Sequence, residues 1–300
     1  MKAVTKILLS GGKKNEDGRE INEDRIKTFT INKNEMEYFY AIIMDGATGL
    51  GKNNQIEKNK TSAEWYVDFV IEYLEKYFRK NPEEKIEKVV KQIILEVKDA
   101  IEVFEKENNI KLEEYEVPSA SLAILRTEGR DTEIFLLGDT ETIIGYKTGK
   151  IEKLENPNQR ILNNLDQKVL DKMVELSQKM NKDVIDTRKE NEINEMLQKN
   201  RSLKNKENGY WTCEVKEEAV NHAVTYQLKN KELDRVVMAT DGFAYKELEK
   251  NAKEIYQLLK EKEARKIVNE IREKEEEDKK CNQYPRFKKS DDLTLVIVEF

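Results

Sequence analysis

Residues 38–46 read Tyr38-Phe39-Tyr40-Ala41-Ile42-Ile43-Met44-Asp45-Gly46. The unbroken apolar run, rich in aromatic and β-branched side chains, predicts a buried strand. The Asp-Gly pair then ends the strand on a carboxylate. Similar arrangements recur far apart in the chain. Residues 236–239 lead into Thr240-Asp241-Gly242, and residues 293–298 follow Ser290-Asp291-Asp292. Residues 26–31, a weaker strand, follow Asn22-Glu23-Asp24. Carboxylates at the ends of several strands can converge on one point. They repel there, so they call for a cation, and oxygen-only donors select a hard one, Mg2+ or Mn2+.

Composition narrows the chemistry. The 300 residues suffice for a real core, and no repeat or Pro- or Ser-rich linker divides them, so a single domain over 1–300 is expected. A net charge of -6 argues against non-specific nucleic-acid binding, which needs a basic surface. Lys-Glu runs such as 261–280 are mixed in sign and read as solvated helix faces. No apolar run approaches the length of a membrane span and no signal-peptide core is visible, so no membrane partner and a cytoplasmic location are expected.

Scarcity is as informative. With two cysteines, Cys213 and Cys281, and one histidine, His222, neither a disulfide framework nor a His/Cys zinc site is expected. No nucleophile-elbow motif accompanies His222, which is read as structural. Neither cysteine is followed six positions on by an arginine, so a cysteine-phosphatase loop is absent too. Carboxylates, metal and water remain.

Patterning predicts strands at 4–9, 26–31, 37–44, 119–127, 133–137, 142–146, 236–239 and 293–298. Residues 211–215 are a further strand candidate. Helices are expected at 62–78, 83–106 with Pro82 in the first turn, 159–179, 183–200, 219–227, 246–260 and 264–274. Two short polar links, 128–131 and 138–141, suggest an antiparallel meander. The polar helices around 155–205 read as an inserted flap. Strands and helix pairs come in blocks, which favours an α+β fold with antiparallel sheets.

Gly46-Ala47-Thr48-Gly49-Leu50-Gly51-Lys52 matches the opening of a phosphate-binding P-loop. Asn53 stands where that motif needs a hydroxyl, and the next helix starts near residue 61 or 62 instead of inside the motif. A P-loop nucleoside triphosphatase is therefore the lesser alternative.

Taken together, the motifs resemble those of the metal-dependent protein phosphatases, the type 2C serine/threonine family, in a bacterial branch. Arg19-Glu20-Ile21-Asn22-Glu23-Asp24 resembles the family's opening motif, and Met44-Asp45-Gly46 its second. Ser119-Ala120-Ser121 with Gly138-Asp139-Thr140 resembles its central Gly-Asp-Ser hairpin. Ala239-Thr240-Asp241-Gly242 matches Ala-Thr-Asp-Gly, and Asp291-Asp292-Leu293-Thr294 resembles its closing Asp-Asn-x-Thr. Asn200-Arg201, Gly209-Tyr210-Trp211 and residues 218–223 are similar to the bacterial branch.

The resemblance implies a four-layer α-β-β-α sandwich of two antiparallel sheets flanked by helix pairs. It implies two Mn2+ or Mg2+ ions and hydrolysis of phosphoserine, phosphothreonine or another phosphomonoester by a metal-activated water. Asp45 would bridge the ions with the Gly46 carbonyl beside it. Asp241 and Asp291 would hold one ion and Glu23 the other, and Asp24 would act through water. Arg19 would clamp the phosphoryl group, and Asp139 is a possible third-metal ligand. The chain departs from the family at Ala47 for the animal enzymes' His, Tyr245 for a carboxylate, Asp292 for Asn and Glu141 for Arg. A phosphatase-like regulator without catalysis stays open as an alternative.

Overall fold

Strand β5, Met36–Ala47, sorts its side chains by parity. Tyr40, Ile42 and Met44 enter one core, while Phe39, Ala41 and Ile43 enter another. A strand covered on both faces has no solvated positions, which is why its sequence is unbroken rather than alternating. Strand β6, Ser119–Glu128, divides the same way: Leu122 and Ile124 against Ala123 and Leu125. The computed structural model describes residues 4–14, 18–51, 55–243, 252–261 and 264–300.

The first core lies between a sheet and two helices, α1 (Ser62–Lys80) and α2 (Ile86–Asn108). That sheet has the order β10-β7-β6-β5-β4, where β4 is Asp24–Lys33, β7 Asp131–Leu137 and β10 Val224–Lys229. Asn34 and Glu35, both with positive φ, make the tight turn that joins β4 to β5. Thr61 caps α1, and Glu64 reaches back to the Thr61 N–H, closing a capping box.

The second sheet has the order β1-β12-β11-β8-β9. Its strands are β1 (Val4–Ser10), β8 (Glu141–Tyr146), β9 (Ile151–Lys153), β11 (Leu233–Ala239) and β12 (Leu293–Glu299). Val236, Met238, Val296 and Val298 meet the first sheet, while Val237, Leu295 and Ile297 meet helices α6 (Ala252–Glu261) and α7 (Ala264–Glu277). The result is the four-layer α-β-β-α sandwich. A two-stranded ribbon, β2 (Lys13–Lys14) with β3 (Glu20–Ile21), stands apart.

The residues between β9 and β10 form a helical cap: α3 (Pro157–Met180), α4 (Val184–Thr187) and α5 (Asn191–Arg201). Val169, Met173, Leu176, Val184 and Ile193 give it a small core of its own, completed by Cys281. Both cysteines are buried and neither is in a disulfide.

Several expectations need correction. The link at 138–141 does not close a meander. β8 leaves β7 and pairs with β11, so this link carries the chain from one sheet to the other. Gly138, at φ 105°, takes the turn, and a Cβ there would lie 2.3 Å from the Ser121 hydroxyl. Residues 219–227 are not a helix. A 3-10 turn, Glu217–His222, gives way to β10, whose side chains alternate in burial on the edge of the sheet. Residues 211–215 form no named strand, and only Cys213 bridges to Ala120. Pro82 precedes α2, and its carbonyl accepts a hydrogen bond from the Tyr40 hydroxyl at 2.6 Å. The helix expected at 183–200 breaks into α4 and α5. Residues 246–251 of another expected helix lie outside the described residues.

Candidate active site

Strand parity places the carboxylates at one open end of the seam between the sheets. Asp45 continues the series Phe39, Ala41, Ile43 that faces the second sheet. Register sets Asp24 opposite Asp45 on one side and Ser121 opposite it on the other. The Ser121 hydroxyl donates to Asp139, and the Asp139 N–H returns a bond to the Ser121 oxygen at 3.0 Å. Asp139 therefore sits at the sheet-to-sheet crossover and not in a hairpin loop.

The second sheet brings its own acids. The Thr240 hydroxyl donates to Asp24 Oδ2 at 2.7 Å and accepts the Thr294 N–H at 3.0 Å. The Asp241 N–H points at Asp45 Oδ2 from 3.4 Å. Asp292 is a structural clamp: its two oxygens accept the Gly12 and Glu23 N–H groups, each at 2.8 Å. Two donors need two acceptors, which a carboxylate supplies and an amide does not. The Gly46 N–H bonds to the Glu23 carbonyl at 3.0 Å, and a Cβ on Gly46 would lie 2.4 Å from that oxygen. Thr48 donates to the Glu23 side chain.

Glu23, Asp45, Gly46, Asp139, Asp241 and Asp291 thus line one cleft. Asp24 lies just beneath, buried at 1 % exposure. Burial and the neighbouring acids push its carboxyl up to about 7. Burial first, then Asp241 and Asp24, hold Asp45 well above the usual aspartate range. Burial, then Asp291 and Asp139, do the same for Asp241. Lys288 is the local cation. Its ammonium lies 2.6 Å from Asp291 Oδ1; burial lowers its proton affinity, but Asp291, Glu23 and Asp241 outweigh that and raise it. Nothing in its sequence context singled it out.

Arg19 is placed differently. Its guanidinium makes paired 2.9 Å bonds to Glu64, the capping-box residue of α1, and it is not among the residues lining the cleft. His222 stacks on Trp211 with ring centroids 3.6 Å apart, the structural role expected of both. The P-loop alternative fails on geometry: Gly46 and Ala47 continue β5, and α1 begins only at Ser62. Lys52, Asn53 and Tyr245 lie outside the described residues.

The donor set suits a hard divalent cation: oxygen only, anionic, and electrostatically unfavourable without one. Among the described residues, no three Asp, Glu, His or Cys side chains close tightly enough to grip one ion as they stand.

Residues 11–282 match the sequence profile of the family described as Protein phosphatase 2C, and the chain belongs to that family. Its architecture is that of solved bacterial phosphatases. A bacterial serine phosphatase aligns at 12% identity and TM-score 0.57, over 99% of this chain and 98% of that one. The serine/threonine phosphatase Stp1 from Staphylococcus aureus aligns at 11% and 0.55, over 100% and 96%. The catalytic domain of the serine threonine protein phosphatase PstP, in complex with 2 manganese ions, aligns at 11% and 0.53, over 99% and 97%. At such identities the likeness concerns the fold. No match is found among curated protein sequences. No described helix is long and apolar enough to cross a membrane.

Proposed function

We propose that the chain is a metal-dependent phosphatase of cytoplasmic phosphoserine or phosphothreonine proteins, or of a smaller phosphomonoester. One observation carries this: acids from both sheets, separated by most of the sequence, line a single cleft. Two Mn2+ or Mg2+ ions bound there would supply Lewis-acid activation of water near neutral pH and neutralise charge on the phosphoryl group. Asp45 and the Gly46 carbonyl would hold the ions jointly, with Asp241 and Asp291 on one side and Glu23 on the other. Asp139, tied to Ser121, would be a ligand for a further ion. Asp24 sits behind Asp45 and can hold a proton near pH 7 for exchange with cleft water. Ala47 has no proton to give, so the departing alkoxide must take its proton from water. Arg19 would clamp the phosphoryl oxygens after leaving Glu64.

A second reading has its own support. Lys288 among the acids and the Arg19–Glu64 pair are arrangements a phosphatase-like binding protein could keep without turnover. Hydrolysis of an aryl phosphate in Mn2+, and its loss in excess EDTA, separates the two. Absence of turnover at saturating Mn2+ and Mg2+ would overturn the enzyme reading.

A further inference from the structure

The cleft has a basic side as well as an acidic one. Arg188, just after α4, and Arg201, the last residue of α5, line it from the cap. Neither guanidinium makes an ion pair with any described carboxylate. Arg188 has a 2.9 Å bond to the Asn194 side-chain oxygen. Burial and the charge of Arg201 both lower the proton affinity of Arg188, so the two cations are held near each other at a cost. An independent feature points to the same spot. Tyr210 is only 4 % exposed and lines the same cleft, and its hydroxyl has no hydrogen-bond partner among the described residues. Burial raises the proton affinity of that hydroxyl, Arg201 lowers it, and Glu214, Asp139 and Asp166 raise it further, so charges of both signs surround it. Both arginines belong to a cap with its own packed core. Leu162, Leu165 and Leu197 give the cleft an apolar strip beside them.

Two guanidiniums without an ion-paired carboxylate and a phenol that can donate face the cleft, with Asp166 beside them, and their surplus of donors is one that an anion satisfies. The scissile phosphoryl group belongs on the acidic side, with the cations. A second anionic group is the one that fits the cap. We propose that Arg188, Arg201 and Tyr210 form a subsite for a carboxylate or second phosphate flanking the phosphorylated residue of a peptide substrate. This rests on the phosphatase reading of the cleft, but its test reads binding and not turnover.

The probes are three fluorescein-labelled peptides carrying a non-hydrolysable phosphonate in place of phosphothreonine. They are flanked by alanines, by glutamates, or by a second phosphothreonine. Anisotropy with the Mn2+-loaded full chain should show the two acidic peptides binding at least about tenfold tighter than the alanine peptide, the worth of one charge-assisted hydrogen bond. The glutamate and phosphothreonine arms tell which anion the subsite prefers. Arg188→Gln and Arg201→Gln should each remove most of that preference, Arg201→Lys should restore part of it, and Tyr210→Phe should reduce it. Equal binding of all three peptides by the wild-type chain overturns the subsite, even if no variant folds. Equal weakening of all three by Arg201→Gln also overturns it, since the arginines would then hold the scissile group itself. Failure to hydrolyse an aryl phosphate would strike the phosphatase reading and leave the binding result standing.

Discussion

The Thr240 hydroxyl lies 2.7 Å from Oδ2 of Asp24, a hydrogen bond that spans the two sheets at the floor of the cleft. Thr240→Val removes that donor and also the acceptor for the Thr294 N–H. Leaving buried partners unpaired should cost about 1–3 kcal/mol, read by urea unfolding in EDTA. A stability change below a few tenths of that would mean the two sheets are not joined there.

Protons should stabilise the metal-free protein. Asp24 has a folded value near 7 against an ordinary 3.8, and Asp45 and Asp241 are raised too. The folded state thus holds protons that the unfolded chain releases. Their stabilisation is complete below about pH 4 and fades as pH rises through about 7, at about 1.4 kcal/mol for each tenfold change in proton affinity. In EDTA the melting temperature at about pH 5 should exceed that at about pH 7.5, and Mn2+ at the higher pH should close the gap. A metal-free protein that melts higher at pH 7.5 would contradict the crowding of these acids.

Asp45→Asn and Asp241→Asn should act in opposite directions on two readouts. Turnover of an aryl phosphate in Mn2+ should fall at least about a hundredfold. The melting temperature in EDTA should rise, because each change removes a repelled buried charge. Lys52→Ala should leave turnover largely intact, whereas a P-loop would lose it. Wild-type turnover in either aspartate variant would reduce the motifs to ordinary turns.

Lys288→Met removes the ammonium from beside Asp291. The metal-free protein should melt lower at neutral pH, having lost its internal counter-charge. Mn2+ should bind severalfold tighter, since the competing positive charge has gone. Calorimetric titration with Mn2+ alone decides this, and weaker Mn2+ binding would show that Lys288 supports the ions instead of opposing them.

Glu64 restrains Arg19, so two variants bracket its role. Arg19→Ala should raise the Michaelis constant for an aryl phosphate more than it lowers turnover. Glu64→Gln should lower that constant while weakening the cap of α1. Michaelis constants unmoved by both would remove Arg19 from the phosphoryl group.

What the sequence disclosed, and what it hid, has physical causes. β5 was legible because burial on both faces leaves no polar position to blur the run. The acids were legible because each ends or begins such a run. The crossover at 138–141 was not, because a short polar link reads alike whether it turns back or changes sheet. Ala219, Val220, Ala223 and Val224 fall at helical spacing, yet the chain straightens after His222 and Val224 pairs with Leu136. Asp292 looked like a departure from pattern, and only the two backbone N–H groups on its oxygens explain it. Arg188 and Lys288 reach the cleft by tertiary folding alone, so no local spacing announced them, and Arg201 stood out only as part of the Asn200-Arg201 resemblance, with no role attached.

Strand β12 lies between β1 and β11, although β1 precedes all other described strands and β12 follows them. During synthesis the first strand must therefore wait, unpaired in this sheet, for the last. Asp291 and Asp292 enter the fold at that same moment. Until residues 291–299 have been made, the cleft lacks Asp291 and β1 lacks its partner in this sheet.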